Sequence, residues 1–459
     1  MAADLVLRGG MVVTPDGVTE ADIVVESGRI CEVGAGITVG TGPATLELDV
    51  RGRHVFPGVV DAHVHFNDPG RDHWEGVATG SAALAAGGGT VFIDMPLNSF
   101  PPTLDGASFD AKLAAAEGVS RTDFALYGGL TPKNLESMEE LAERGVAGFK
   151  AFMVPSGIDD FQCADDVTLC RGMEIAAGVG LPVLLHAESV GFIEALTAEA
   201  ARSATGPAAE SAGGRDARVA AVRRFIDARP VISELEAINR ALLYAEETGC
   251  RVHVVHITNP RGAELIRRAV AAGRVDATAE TCPHYLYFTD RDMEEIGPRA
   301  KCAPPLREER VRADMVEALA AGEFDTVGSD HSPASPDIKD REFSEAWGGI
   351  PGAQTTLRTL LTVGTPFERI ARVAAAAPAK RFGLPGKGLI APGYDADLAV
   401  VDTRVAAELT RDELRDRHRL SPYIGCCLRG RVEQVYLRGQ EIDGPPRGRF
   451  LRPDKTTSM

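Results

Sequence analysis

The strongest constraint on this chain is a rhythm. Between residues 55 and 330, short apolar runs alternate with longer stretches of helical periodicity. Eight runs stand out, at 55–65, 90–94, 124–130, 148–153, 182–186, 251–256, 275–280 and 324–330. Short, continuous apolar runs read as strands buried on both faces. The patterns between them, such as 234–247 and 260–272, read as crossover helices. Eight such units are what closes a (β/α)8 ring, whereas an open doubly wound sheet more often has fewer strands. The fold class expected is α/β, a TIM-type barrel.

The two ends differ in texture. Residues 5–7, 11–13 and 23–25, and later 398–401 and 435–437, are short β-prone runs separated by Gly-rich and Pro-Asp-Gly turns. A few isolated strands cannot bury a face alone. Both termini are therefore expected to build one small discontinuous β-sandwich domain, 1–54 with 380–459, beside a barrel over 55–379. The connection from 186 to 251 is too long for a simple crossover. It holds two helical stretches around 204–214, a segment rich in Gly, Ala and Ser. An insertion after a barrel strand lands at the catalytic mouth. It reads either as a mobile cover or as a solvated insert.

Composition narrows the partners. Against 49 Lys and Arg stand 66 Asp and Glu, a formal net charge of -17. Such a chain repels phosphate backbones, so neither nucleic acid nor an anionic membrane is an expected partner. The opening MAADLVLRGG lacks the basic-then-apolar order of a signal peptide. No run approaches the roughly 20 apolar residues that span a bilayer. The eight cysteines are scattered without a C-x-x-C pair, which disfavours a zinc finger or redox motif. A cytoplasmic address with mostly buried thiols is expected.

Chemistry-bearing residues gather at the C-terminal ends of the runs. His63 and His65 end the first, Lys150 lies in the fourth, His186 ends the fifth, His256 the sixth and Asp330 the eighth. In a parallel barrel these ends open on one face, where active sites lie. His63 and His65, two apart on a strand, face one side and suit two nitrogen ligands on one metal. Alone, an H-x-H pair is a weak signal. A single strand-end histidine is more often a satisfied core residue than a ligand. Two in successive strands, joined to the pair, shift the balance to metal. His253 has the opposite parity to His256 and is expected to face away.

Lys150 is costly to bury as an ammonium. It is either paired with a carboxylate, or kept neutral so that it adds carbon dioxide to form a carbamate whose two oxygens bridge two cations. Asp330 can bind a metal, take a proton from water and deliver it to a leaving nitrogen; its other reading is a helix cap. Two metals roughly 3.5–4 Å apart would share a hydroxide and polarise an amide carbonyl. Among weaker signals, Gly87-Gly88-Gly89 lacks the rest of a phosphate loop. His54, His73 and His418 read as structural or surface residues. His284 is balanced between a structural role and substrate contact. Backbone in 301–305 and 347–349 could approach a flat ring amide.

The ordered set of H-x-H, strand lysine, two lone histidines and a late Asp resembles the amidohydrolase superfamily, in its cyclic amidohydrolase branch. That branch includes hydantoinases, dihydropyrimidinases, dihydroorotases and allantoinases. The likeness covers nearly the whole chain, through Gly386-Lys387-Gly388 and Asp395-Ala396-Asp397-Leu398. In detail it is most similar to allantoinases, at His65-Phe66-Asn67-Asp68-Pro69-Gly70-Arg71, Trp74-Glu75-Gly76, Met95-Pro96-Leu97-Asn98, Gly148-Phe149-Lys150, Cys282-Pro283-His284-Tyr285, Ser329-Asp330-His331-Ser332-Pro333 and Ala346-Trp347-Gly348-Gly349-Ile350.

The resemblance implies two zinc-type ions. His63 and His65 would hold one with Asp330, and His186 and His256 the other, with carboxylated Lys150 bridging. It implies ring reading mainly by backbone near Ala303 and Gly348. Asn67, Asn98, Phe152, His284 and Trp347 are further expected contacts, and a homotetramer is the expected assembly. Dihydroorotases usually carry an arginine where Asn67 stands, and a neutral side chain there suits uncharged allantoin. The activity implied is hydrolysis of the hydantoin ring of allantoin to allantoate by a hydroxide bridging two metals, with Asp330 as base and then acid. A hydantoinase or dihydropyrimidinase is the nearest alternative. A dihydroorotase and a non-catalytic scaffold stand further off.

Overall fold

The computed structural model describes residues 3–40, 42, 45–203 and 214–454. The part of the insertion at 204–213, read above as belonging to a cover or a solvated insert, lies outside them. The barrel strands are Val59–Val64, Gly89–Asp94, Asp123–Leu126 continued by Gly128–Gly129, Phe149–Phe152, Val183–His186, Val252–Val254, Ala277–Thr281 and Thr326–Val327. They pair in parallel and in chain order. The third strand is carried across its interruption by Tyr127, whose N–H donates to the Asp94 carbonyl at 3.0 Å. The ring closes where Val64 and His331 form a parallel bridge and the His65 N–H donates to the His331 carbonyl at 2.8 Å. This is the (β/α)8 barrel that the eight runs predict.

Alternation along each strand separates two apolar environments. Val91 and Ile93 pack with Val60, Ala62, Ala125, Tyr127 and Leu184 in one cluster. Phe92 of the same strand packs with Phe66, Phe124 and Leu84 in the other, against the helices. Each fully buried side chain of this size contributes roughly 1.5–3 kcal/mol.

The first apolar run, read as one strand over 55–65, is two. His54–Pro57 belongs to a sheet made by the termini, and Val59–Val64 opens the barrel. Gly58 lies between them. A Cβ there would fall 2.2 Å from Thr90 Oγ1, so the chain crosses from one sheet to the other where only glycine fits.

The terminal sheet has eight strands. From one edge run Gln440–Glu441, Cys427–Leu437, Leu398–Glu408, His54–Pro57, Leu5–Thr14, Gly17–Glu26 and Arg29–Gly34. Leu5–Thr14 pairs with Leu46–Asp49 along its first half and with His54–Pro57 along its second, with a register break between Leu7 and Gly10. Such a break bends a strand. Leu5, Leu7, Val12, Ile23, Val25, Val55, Leu398, Val400 and Tyr436 fill the space enclosed.

A buried lysine joins this sheet to the barrel. Lys387 Nζ lies 2.7 Å from Asp123 of the third barrel strand, and 2.9 and 2.8 Å from Asp395 and Asp397. Burial alone would lower the Lys387 ammonium, but the three carboxylates outweigh it and raise it above the usual lysine range. The insertion after the fifth strand contributes helices Val190–Ser203, Arg215–Asp227 and Val231–Thr248. Among the described residues, no helix is long and apolar enough to cross a membrane.

Candidate metal centre and active site

At the C-terminal ends of the barrel strands lies a cavity of about 580 Å³, bordered by His63, His65, Lys150, His186, His256 and Asp330 together. The residues singled out on five separate runs thus meet in one place. Rings of His63 and His65 are 5.5 Å apart, His63 and His256 5.5 Å, and His186 and His256 4.5 Å. Two of the six stand on left-handed backbone, His256 at φ 43° and Asp330 at φ 46°; nearby Asn67 and Asn98 do so at 68° and 34°. Asn, Asp and His tolerate this region better than most side chains, and such strain clusters at functional sites.

Hydrogen bonds fix which imidazole nitrogen faces inward. His63 Nδ1 lies 2.7 Å from Glu280 Oε1, and His65 Nδ1 faces the Leu97 carbonyl at 3.4 Å. Both therefore turn Nε2 toward Asp330 Oδ1, at 3.2 and 3.3 Å. His186 uses Nε2 on Glu188 at 2.7 Å, which leaves Nδ1 for the cavity. A ring N–H anchored on a carboxylate or carbonyl is how ligating histidines are commonly oriented.

The electrostatics follow from burial and these contacts. Burial alone would raise the Asp330 carboxyl, but His63 and His65 outweigh it and hold it well below the usual range. Burial alone would lower His63, yet Asp330 and Glu280 raise it to about 9. His256 is pushed well below its ordinary value by burial and by His186 and Lys150. Burial lowers the Lys150 ammonium to about 8.

The donors suit divalent cations. Ligand atoms of His63, His65 and Asp330 lie within 4.8 Å of one another. Lys150 Nζ and His256 Nδ1 are buried without a hydrogen-bond partner. Among the described residues Lys150 has no carboxylate pair; its ammonium lies 4.9 Å from the Phe152 ring, which itself stacks on His186 at 4.7 Å. Unpartnered buried polar atoms are costly, and a metal with a modified lysine would satisfy both.

Of the expected substrate contacts, Asn98, Phe152, Ala303, Trp347 and Gly348 border the cavity, whereas Asn67 and His284 do not. Asn67 is fully buried, with its amide 3.5 Å from the Pro333 carbonyl. The charge preference inferred from Asn67 therefore has no direct seat in the cavity wall. His284 is buried behind Asp330, in a second group with Cys282 whose donor atoms lie within 4.8 Å of each other. His253 does not border the cavity, but it does not face away as its parity predicts: it pairs level with Leu184 and Lys150 inside the barrel, because the left-handed backbone at His256 breaks the alternation. His253 bonds Thr278 Oγ1 at 2.7 Å and Glu280 Oε2 at 3.2 Å, and so supports the carboxylate that holds His63.

Sequence reasoning passed over Glu188 and Glu280. Glu188 follows His186 by two, and Glu280 ends the seventh run; a charged residue closing an apolar strand was the available signal. Arg71, Arg229, Phe225 and Lys301 also border the cavity. Phe225 comes from the insertion, with the Arg229 guanidinium 4.8 Å from its ring and the Lys301 ammonium 5.4 Å from it.

A model of the amidohydrolase family matches residues 54–442. The chain belongs to this family. Among relatives of this amidohydrolase, an allantoinase of Deinococcus radiodurans is 49% identical over 99% of both chains. An allantoinase of Rubrobacter xylanophilus is 48% identical, covering 99% of this chain and 98% of the relative. Among solved structures, the L-hydantoinase (dihydropyrimidinase) of Arthrobacter aurescens superposes with a TM-score of 0.90 at 33% identity, over 98% of this amidohydrolase and 100% of that chain.

Proposed function

We propose that this amidohydrolase hydrolyses the hydantoin ring of allantoin to allantoate. The observation that carries the reading is near-half identity, along essentially the full length, to enzymes named allantoinase. The solved hydantoinase neighbour supports a second reading, hydantoinase or dihydropyrimidinase, with the same site and a different ring.

In this reading His63, His65 and Asp330 hold one zinc ion, and His186 and His256 a second, with Lys150 between them. When bound, the pair supplies Lewis acidity that polarises the ring carbonyl and acidifies water. Lys150, lowered to about 8, offers its lone pair to carbon dioxide more readily than an exposed lysine. A nitrogen–carbon bond forms, a proton leaves, and the product carbamate has two oxygens where the bare amine has one donor. Asp330 takes the proton of the attacking water and returns it to the ring nitrogen as the C–N bond breaks. Its contacts with two imidazoles keep it ionised for the first half of that cycle. Phe152, Trp347 and backbone at Ala303 and Gly348 orient the flat ring. A homotetramer in the cytoplasm completes the proposal.

The test is a substrate panel of allantoin, hydantoin, dihydrouracil and dihydroorotate, run with and without added metal and bicarbonate. Allantoin is expected to be turned over best, with activity lost on chelation and restored by zinc with bicarbonate. Allantoin as the poorest substrate would overturn the specificity, and no turnover of any ring with metal bound would overturn the chemistry. Sedimentation of the purified protein checks the tetramer.

A further inference from the structure

Two lysines near the cavity bury ammonium groups without a carboxylate partner. Lys301 Nζ donates to the carbonyls of Phe343, Ser344 and Ala346 at 2.7, 3.2 and 2.8 Å, which uses all three of its N–H groups. Lys339 Nζ donates to the carbonyls of Trp347 and Gly349 at 2.9 and 2.6 Å. Most of the carbonyls of segment 343–349 therefore turn toward two nitrogens. An ammonium is expensive to desolvate, and a chain needing only volume here would do better with Met or Leu. The charged groups facing Lys301 reduce to Arg229. Those facing Lys339 are Lys301, Asp340 and Arg299, with the Cys302 thiol, which burial keeps neutral, beside them. Among the described residues neither lysine ion-pairs, so the backbone carbonyls are what each is placed to hold.

The tie runs both ways. Lys301 precedes Ala303 by two residues, and the Gly349 N–H donates back to the Lys301 carbonyl at 2.8 Å. The two loop segments that frame the cavity are thus fastened through one residue. Between the held residues 347 and 349, Gly348 borders the cavity, with nothing within 4 Å of where a Cβ would stand. Trp347 also borders it, and its Nε1 is buried without a partner.

We propose that Lys301 and Lys339 are positioning residues for substrate recognition: by gathering the carbonyls of 343–349 they fix the span from Ala303 to Gly348 and leave the Gly348 N–H to meet a carbonyl oxygen of a ring amide beside the Trp347 ring. This rests on the ring-amide reading above. Loss of a proton leaves Lys339 the two N–H donors its two carbonyls need, whereas Lys301, with three carbonyl partners, would give up one bond.

The chain has two tryptophans, Trp74 and Trp347, with rings 4.9 Å apart. In a Trp74→Phe background, emission reports Trp347 alone and needs no substrate. Lys301→Met and Lys339→Met are each expected to raise acrylamide quenching of Trp347. Lys339→Gln, which keeps a donor, should fall between. In the otherwise unaltered enzyme both Met variants should raise KM for the preferred ring amide about tenfold, with kcat within about threefold and metal content unchanged. A purely structural role would instead lower thermal stability and leave KM in place. Unchanged quenching and KM in both variants overturns the proposal, as does a fall in kcat with KM unmoved. If no ring amide is turned over yet quenching still rises, the positioning of the loop stands and the ring-amide reading fails.

Discussion

Glu280 touches two histidines with different duties. One oxygen holds His63 Nδ1 at 2.7 Å and the other takes His253 Nε2 at 3.2 Å, itself backed by Thr278. Contact with both imidazoles holds the carboxyl down at about 2, against the burial that would raise it. Glu280→Gln keeps the volume but loses the charge that orients His63. Metal affinity should fall about 10–100-fold, as for other outer partners of ligating histidines, with chelator competition as the measurement. The six residues bordering the centre were legible in the sequence because strand periodicity and strand ends place them with no knowledge of neighbours. Glu280 and Glu188 were not, because each matters only through a histidine it reaches in space, and Glu280 reaches across from another strand. Asn67 and His284 show the reverse limit. Both stand beside residues of the site in sequence, yet a left-handed turn at Asn67 and burial at His284 keep them off the cavity wall.

At the level of elements, apolar runs reported strands faithfully but not the sheet each belongs to. The 55–65 run carries no polar break at Gly58, so its division between two sheets could not be read. The requirement for glycine there comes from a close approach to Thr90 that exists only after the second strand is in place. Gly58→Ala should destabilise the protein by about 1–3 kcal/mol, as overpacking does, and Thr90→Ala in the same chain should recover part of that loss. Urea unfolding of the four variants measures the coupling.

The loop held by Lys339 has its own pH signature. Burial lowers this lysine from 10.5 to about 7, so between those values the unfolded chain binds more protons than the folded one. Stability from this group is complete above 10.5 and is lost as pH falls through about 7. Relative to Lys339→Met, the unaltered protein should gain thermal stability as pH rises from neutral toward 10. A gap that narrows over that range would contradict the assignment.

At the scale of the whole molecule, a buried lysine ties the terminal sheet to the barrel, beside Arg438, which reaches the same Asp123. Lys387 meets Asp123 of the barrel and Asp395 and Asp397 beside the terminal sheet. Lys387→Met would leave Asp397 buried without a cation, and Asp123 with Arg438 alone, with a cost of about 3–5 kcal/mol, seen as a lower unfolding midpoint for the whole chain. The two β-rich ends were legible as one unit because neither could bury a face alone. The lysine that fastens them to the barrel was not, since the partner that crosses to the barrel, Asp123, lies 264 residues away in the chain.

The seam where the barrel closes, Val64 against His331, is also where His63 and His65 come to face Asp330. The residues proposed to hold the first cation are thus split between the earliest and the latest barrel strands to leave the ribosome. A nascent chain halted before residue 326 would already contain most of the ring and yet no competent centre. On the proposed reading, such a chain would lack Asp330 and could not act before its last barrel strand is made.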